Sequence, residues 1–243
     1  VTDAGSGRVV WLHRNENNTV TWVLSVTLPQ SGVPVDCTVD HFGNVYVADE
    51  QNSQVLKYTA SLGLLATYGT YGRGATNLNT FSHPHAIHVV YGRRTVNGQP
   101  QFFGDGRIIT AEDWTDNSGA LEHWLGLDLQ VPDAPLGGTG WASVPVWMTD
   151  HAYVTVEVLL DATYGTVAYA AASDFRPPGW GSVDWNGLLS DGTPAPQDWY
   201  RFRITALSGY GCDGSAWCQK TVVTARFWAS GRDCSDPYHI CPT

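Results

Sequence analysis

Three of the eight histidines fall within six residues, in His83-Pro84-His85-Ala86-Ile87-His88. Neutral imidazole is a ready ligand for zinc, copper and iron, so this trio is the first place to look for metal chemistry. Successive side chains of a strand face opposite sides, which puts His83 and His85 on one face and His88 on the other. A complete site would then need a ligand from another element, such as His41 or His123. The competing reading is a set of hydrogen-bonded histidines at the start of a strand, and on that reading no metal or other cofactor is expected. Asp113-Trp114-Thr115-Asp116-Asn117-Ser118-Gly119 is rich in oxygen ligands but lacks the alternate-residue acidic spacing of a calcium loop, and it reads as a polar turn. No Gly-x-Ser-x-Gly elbow, His-Glu-x-x-His helix, phosphate-binding glycine loop or dinucleotide fingerprint is present. The sequence therefore assigns no catalytic residue, and a non-enzyme is expected.

Four of the five cysteines, Cys212, Cys218, Cys234 and Cys241, crowd the last segment, while Cys37 stands alone. Two short-loop bridges, Cys212 with Cys218 and Cys234 with Cys241, are the simplest of the three possible pairings. Such bridges staple a tail too short for a core of its own and persist in oxidising compartments. A four-cysteine zinc site is the alternative, although the close Cys-x-x-Cys pairs that such sites favour are missing. Cys37 reads as a buried free thiol in a strand, or as an intermolecular bridge.

Eleven tryptophans exceed what two modest β cores need. Aromatic side chains bury large areas at small entropic cost and so anchor interfaces. Trp141, Trp147, Trp180, Trp199, Trp217 and Trp228, all in the second half, are the interface candidates, and Trp185 reads as core. A formal charge of −10, from 13 basic against 23 acidic residues, with no cluster of Lys or Arg, argues against nucleic acid and anionic lipid as partners. No apolar run approaches the roughly 18 residues that span a bilayer as a helix. The longest candidate, Tyr153 to Leu160, is interrupted by Glu157 and alternates like a strand. The chain opens at Val1 with neither an initiator Met nor a signal peptide, as a mature or trimmed product would, and without the Cys of a lipoprotein anchor. A periplasmic or extracellular location follows from the cysteines.

These residues must be positioned by strands. The 26 Gly and 13 Pro punctuate short runs of Val, Ile, Thr, Tyr and Trp, and helix-forming stretches are almost absent, so the expected class is all-β. The strongest internal signal is a repeat. From Pro34 the chain reads Pro-Val-Asp-Cys-Thr-Val-Asp, a His41-Phe42-Gly43-Asn44 turn, Val45-Tyr46-Val47-Ala48-Asp49, a polar turn through Asn52, then Gln54 to Tyr58. About fifty residues later it returns, as Pro84 to Val90, Gly106 to Asp113 and Leu121 to Trp124.

This pattern resembles the NHL-repeat β-propellers, whose blades carry a Pro before the first strand, an Asp-x-x-Gly-Asn hairpin and a Tyr-Val-Ala-Asp strand end. Residues Arg8 to Leu12 and Thr21 to Val26 look like the outer strands of a blade whose beginning is missing. Gln54 departs from the family's Arg, Val90 from its Asp, and Tyr91 to Phe103 is an insertion. A closed ring needs about four blades, and the chain offers two and a fraction, so an incomplete or open set is expected. Some propellers of this type, the peptide-amidating lyases among them, hold a metal in the central channel, close to a histidine that follows the blade's Pro. That resemblance is what keeps His83, His85 and His88 as weak metal candidates.

Periodicity stops after Val131, and Pro132 to Gly140 reads as a linker. Beyond it, alternation through Val154, Val156 and Val158, a Trp185-Asn186-Gly187 turn and the run Trp199 to Ala206 point to a β-sandwich. These residues are similar to the immunoglobulin-like module of flagellar hook-capping proteins, with Asp198-Trp199 replacing the Gly before Tyr200. The expected layout is blades over 1–131, a linker and first strand region over 132–150, an Ig-like sandwich over 151–207, and a Cys-rich extension over 208–243 that contributes one strand from Lys220 to Trp228. The expected function is a non-catalytic accessory or scaffold subunit that binds other proteins of a larger extracytoplasmic complex or filament. The alternatives are a glycan- or peptide-binding module and an enzyme related to the metal-dependent propeller lyases.

Overall fold

The computed structural model describes residues 1–71, 80–96, 99–112, 119–124, 126–210 and 218–231. It is all-β, with short 3-10 turns and no α-helix among these residues. The chain divides into two compact units, Val1–Leu125 and Gly126–Thr243.

The first unit holds three antiparallel meanders. β1 (Thr2–Asp3), β2 (Arg8–Arg14) and β3 (Val20–Thr27) form one sheet in chain order; β4 (Pro34–Val39), β5 (Val45–Asp49), β6 (Gln54–Tyr58) and β7 (Leu64–Tyr68) form the second. A short parallel pair, β8 (Thr70–Tyr71) and β9 (Thr80–Phe81), leads to the third sheet, β10 (Pro84–Val96), β11 (Gln99–Glu112) and β12 (Gly119–Trp124). Period-2 alternation gives the middle sheet two apolar faces. Tyr46, Ala48 and Val55 pack with Ile87, Val89 and Ile108, and Val47, Leu56 and Tyr58 pack with Val9, Leu28 and Leu62. Every residue of β6 is buried as a result, Lys57 included, whose ammonium lies 5.4 Å from the Tyr46 ring centre. Meanders stacked face to face in this way are blades, and the described residues close no ring.

Two buried aspartates set the blade geometry. Asp40 accepts hydrogen bonds from the Phe42 and Asn44 backbone N–H groups, the Asn44 amide and the Tyr46 hydroxyl, which fixes the β4–β5 turn. Asp49, with no exposed surface, accepts from Val33 N–H, Asn52 N–H, the Asn52 amide and the Gln54 amide. Gly32 lies so close that a Cβ there would stand 2.3 Å from the Asp49 Oδ2 atom.

The second unit is a two-layer sandwich. One layer centres on β15 (Trp141–Met148), flanked by β18 (Gly179–Trp185) on one edge and by β13 (Leu129–Gln130) and β14 (Leu136–Gly138) on the other. The second layer runs β17 (Thr166–Arg176), β16 (Ala152–Leu160), β19 (Asp198–Ser208), with β20 (Gln219–Val223) and β21 (Phe227–Ala229) sharing the far edge of β19. Val144, Val146, Val183 and Trp185 of the first layer meet Val154, Val156, Phe202, Ile204 and Phe227 of the second.

Three sequence expectations change. The division precedes Gly126, because Leu127 and Leu129 are buried in the sandwich core. The stretch 132–140 is no free linker: β14 lies within it, and the glycines are packing requirements, since a Cβ on Gly137 would meet the Trp228 carbonyl at 2.5 Å. The single strand from Lys220 to Trp228 is two, because Thr224 leaves the ladder to exchange bonds with Phe202, its N–H donating to the Phe202 carbonyl and its hydroxyl accepting the Phe202 N–H.

Candidate interaction surface

The same alternation that fills the sandwich core sets tryptophans on its outside. On β15, Ala142, Val144, Val146 and Met148 point inward, so Trp141, Ser143, Pro145 and Trp147 point outward. Antiparallel register with β18 then places Trp180 directly opposite Trp147, and their rings lie 5.3 Å apart at 57°. Trp180 is 67% exposed and Trp141 is 46% exposed. Trp141 covers Gly138, where an added Cβ would come within 2.7 Å of the indole nitrogen. Between the aromatic ends lies a polar strip: Asp184 accepts hydrogen bonds from the Ser143 and Ser182 hydroxyls, which hold its carboxyl below the usual carboxylate range.

The other layer repeats the device. Trp199 of β19 pairs across the ladder with Trp228 of β21, the rings 5.2 Å apart in a T-shaped arrangement, and the Arg226 guanidinium sits 4.6 Å over the Trp199 ring. Trp228 is 43% exposed. Nearby on this face, Arg203 donates two hydrogen bonds to Glu157, and Arg201 donates to Asp161. The guanidinium of Arg203 holds the Glu157 carboxyl below its ordinary value. Trp185, by contrast, is core, its indole N–H donating to the Leu188 carbonyl.

Five of the six interface candidates are thus placed at the sandwich surface, four of them in two pairs; Trp217 lies outside the described residues. The metal candidates do not converge. His83 sits in a bend with φ of +47°, its ring 5.5 Å from Tyr71, and His85 lies 3.5 Å from the Glu50 carboxylate. His83, His85 and His88 are all exposed, and no group of three or more His, Cys, Asp or Glu able to hold a metal exists among the described residues. His41 rests against Phe42, where burial lowers its pKa, and the side chain of His123 lies outside the described residues. Cys218 is fully buried and disulfide-bonded, whereas Cys212, Cys234 and Cys241 lie outside the described residues. Cys37 forms no disulfide within the chain and is only half-buried, at the margin of the core formed by Val9, Val47 and Leu62.

One surface escaped the sequence reading. In the first unit, Trp11 and Trp22 are exposed on β2 and β3, and the signal was available: Val-Thr-Trp-Val-Leu-Ser-Val-Thr lacks the regular apolar–polar alternation of a half-buried strand.

No protein-family model and no curated protein matches the chain. Among solved structures it is similar to PorZ, a surface component of the type-IX secretion system of Porphyromonas gingivalis, at 13% identity over 91% of this chain and 25% of that one, with a TM-score of 0.30. Virginiamycin B lyase of Staphylococcus aureus aligns at 13% identity over 90% of this chain and 64% of the lyase, with a TM-score of 0.26. The extracellular domain of a one-component system from B. thetaiotaomicron aligns at 6% identity over 90% and 30%, with a TM-score of 0.25. The chain spans between a quarter and just under two thirds of the length of these proteins. At these scores the functional reading rests on the chain's own residues.

Proposed function

We propose that this chain is a non-catalytic accessory or scaffold subunit of a larger extracytoplasmic assembly, and that its sandwich docks partner proteins through the outward tryptophan pairs. The observation that carries the reading is the two outward-facing couples, half-buried Trp147 with exposed Trp180 and exposed Trp199 with exposed Trp228, on a sandwich whose core is complete without them. Large aromatics left on a surface cost solubility, and their return is realised when a partner desolvates them. On this reading the first unit supplies NHL-type blades and the second a hook-capping-type immunoglobulin-like module. Cys212 with Cys218 and Cys234 with Cys241 are the proposed bridges, and the disulfide state of Cys218 supports an oxidising compartment.

The test is the native mass and composition of the particle that contains the chain, for the natural sequence and for Trp147→Ala/Trp180→Ala and Trp199→Ala/Trp228→Ala. Loss of a co-purifying protein with an unchanged melting temperature supports the reading. A 26.4 kDa monomer in the native extract, or a complex that both double variants leave intact, rejects it.

A further inference from the structure

The chain contains one Asn-x-Ser/Thr triplet whose middle residue is not Pro, Asn17-Asn18-Thr19, and the proposed function leaves it unused. The fold puts this triplet at the tip of the β2–β3 hairpin, where every residue from Glu16 to Val20 is exposed. The turn is well defined. Asn15 N–H donates to the Thr19 carbonyl and Asn18 N–H to the Asn15 carbonyl, each at 2.9 Å, and Asn18 takes a left-handed φ of +63° that asparagine tolerates.

Within this turn the Asn17 side chain is held by its oxygen alone. Its Oδ1 atom accepts the Thr19 N–H at 3.1 Å and the Thr19 hydroxyl at 2.6 Å, and that hydroxyl accepts from the Asn15 amide at 2.9 Å. The Asn17 Nδ2 atom donates no hydrogen bond among the described residues. An amide nitrogen is a weak nucleophile because its lone pair is delocalised onto the oxygen. Two donors on Oδ1 favour the form in which Nδ2 has given up a proton and the negative charge rests on the oxygen, and the chain from Asn15 through Thr19 polarises that contact further. Nδ2 then has a lone pair with which to attack.

We propose that Asn17 is an N-glycosylation site. The co-reactant is an oligosaccharide carried on a lipid pyrophosphate and presented by a membrane-bound transferase. Nδ2 bonds to C1 of the first sugar as the bond from C1 to the pyrophosphate oxygen breaks. The lipid pyrophosphate leaves with the electron pair, and the Nδ2 proton passes to a base of the transferase. A bulky hydrophilic group here also has apolar surface to shield. Beyond Val10, β2 and β3 pair only with each other among the described residues, Trp11, Leu12, Trp22 and Leu24 are exposed, and Trp22 lies three residues, about 10 Å, along the strand from Thr19. The inference rests on the extracytoplasmic location in the proposed function, which the disulfide-bonded Cys218 supports, and not on the tryptophan pairs.

The experiment is intact-mass measurement and peptide mapping of the chain isolated from the extracytoplasmic fraction of the cells that make it, together with Thr19→Ser, Thr19→Ala and Asn17→Gln produced in the same cells. The natural chain exceeds the mass of its sequence by one oligosaccharide, the added mass maps to the peptide that holds Asn17, and enzymatic cleavage of the sugar–amide bond leaves an aspartate at that position. Thr19→Ser keeps the hydroxyl and keeps the glycan. Thr19→Ala and Asn17→Gln lose it completely, while hydrogen exchange of β5 and β6 stays unchanged and so separates the loss from misfolding. An exported natural chain with a bare Asn17, or a glycan that persists in Thr19→Ala, overturns this proposal and leaves the tryptophan reading standing; a chain confined to the cytoplasm overturns both.

Discussion

Removing the Asp49 carboxylate tests whether the acidic residue that ends the blade's second strand is architectural. Asp49→Ala strands four donors at once: Val33 N–H at 2.9 Å, Asn52 N–H at 3.3 Å, the Asn52 amide at 2.8 Å and the Gln54 amide at 2.9 Å. Gln54 is 7% exposed, so its amide is left buried and unpaired. That alone costs about 1–3 kcal/mol. Val33 and Asn52 are half-buried and regain water in part, and losing a buried anion relieves some desolvation. The expected net loss is about 3 kcal/mol, confined to the first unit. For a unit of this size that corresponds to a fall in melting temperature of about 10 °C. Hydrogen exchange read by mass spectrometry resolves the two units: protection of β4, β5 and β6 amides falls, while β16 and β19 amides keep theirs. A loss below about 1 kcal/mol, or an equal loss in both units, refutes the reasoning, because Asp49 would then be dispensable to the blade.

Two further predictions follow from ionisation. Burial first, and the Asp49 carboxylate second, push the Tyr58 hydroxyl up to about 12 from 10.0. A raised pKa means stability is intact below the unfolded value and is lost as pH climbs from 10 towards 12. Unfolding measured across that window loses about 2–3 kcal/mol, and Tyr58→Phe makes the alkaline slope shallower; an unchanged slope rejects the assignment. Glu157 runs the other way, its carboxyl held low by Arg203 and then by the Thr166 hydroxyl. Its stabilisation is present above 4.5 and is lost as pH falls through the depressed value, so Glu157→Gln costs about 0.5–1 kcal/mol near neutrality and nothing at strongly acid pH. Paired urea titrations at the two pH values check it, and a pH-independent difference rejects it.

Much of the blade was legible because its strands alternate and its turns are chemically marked. Pro34, Asp40-x-x-Gly43-Asn44 and Tyr46-Val47-Ala48-Asp49 place two strands and the turn between them, since the Asp40 carboxylate closes that loop on Asn44 and Tyr46. The sandwich core was equally legible in Val154, Val156, Val158 and Trp185. Less was visible where one residue's role depends on a strand distant in sequence. Gly137 and Gly138 read as linker because glycine-rich stretches usually are, but here they admit the Phe227–Trp228 backbone and the Trp141 ring.

The sequence by itself determined the all-β class, the blade repeat and the absence of any local catalytic signature, because these are written in short runs of residues. Only the tertiary structure decided which tryptophans become pairs, since Trp147 meets Trp180 and Trp199 meets Trp228 through strand register rather than sequence distance. It also left His83, His85 and His88 exposed and scattered, because a bend with positive φ at His83 and the contact of His85 with the Glu50 carboxylate turn them to separate surroundings. And among the described residues it left β3 at a sheet edge: whether an apolar strand lies inside a sheet or at its edge is fixed by what packs beside it, which no local pattern encodes.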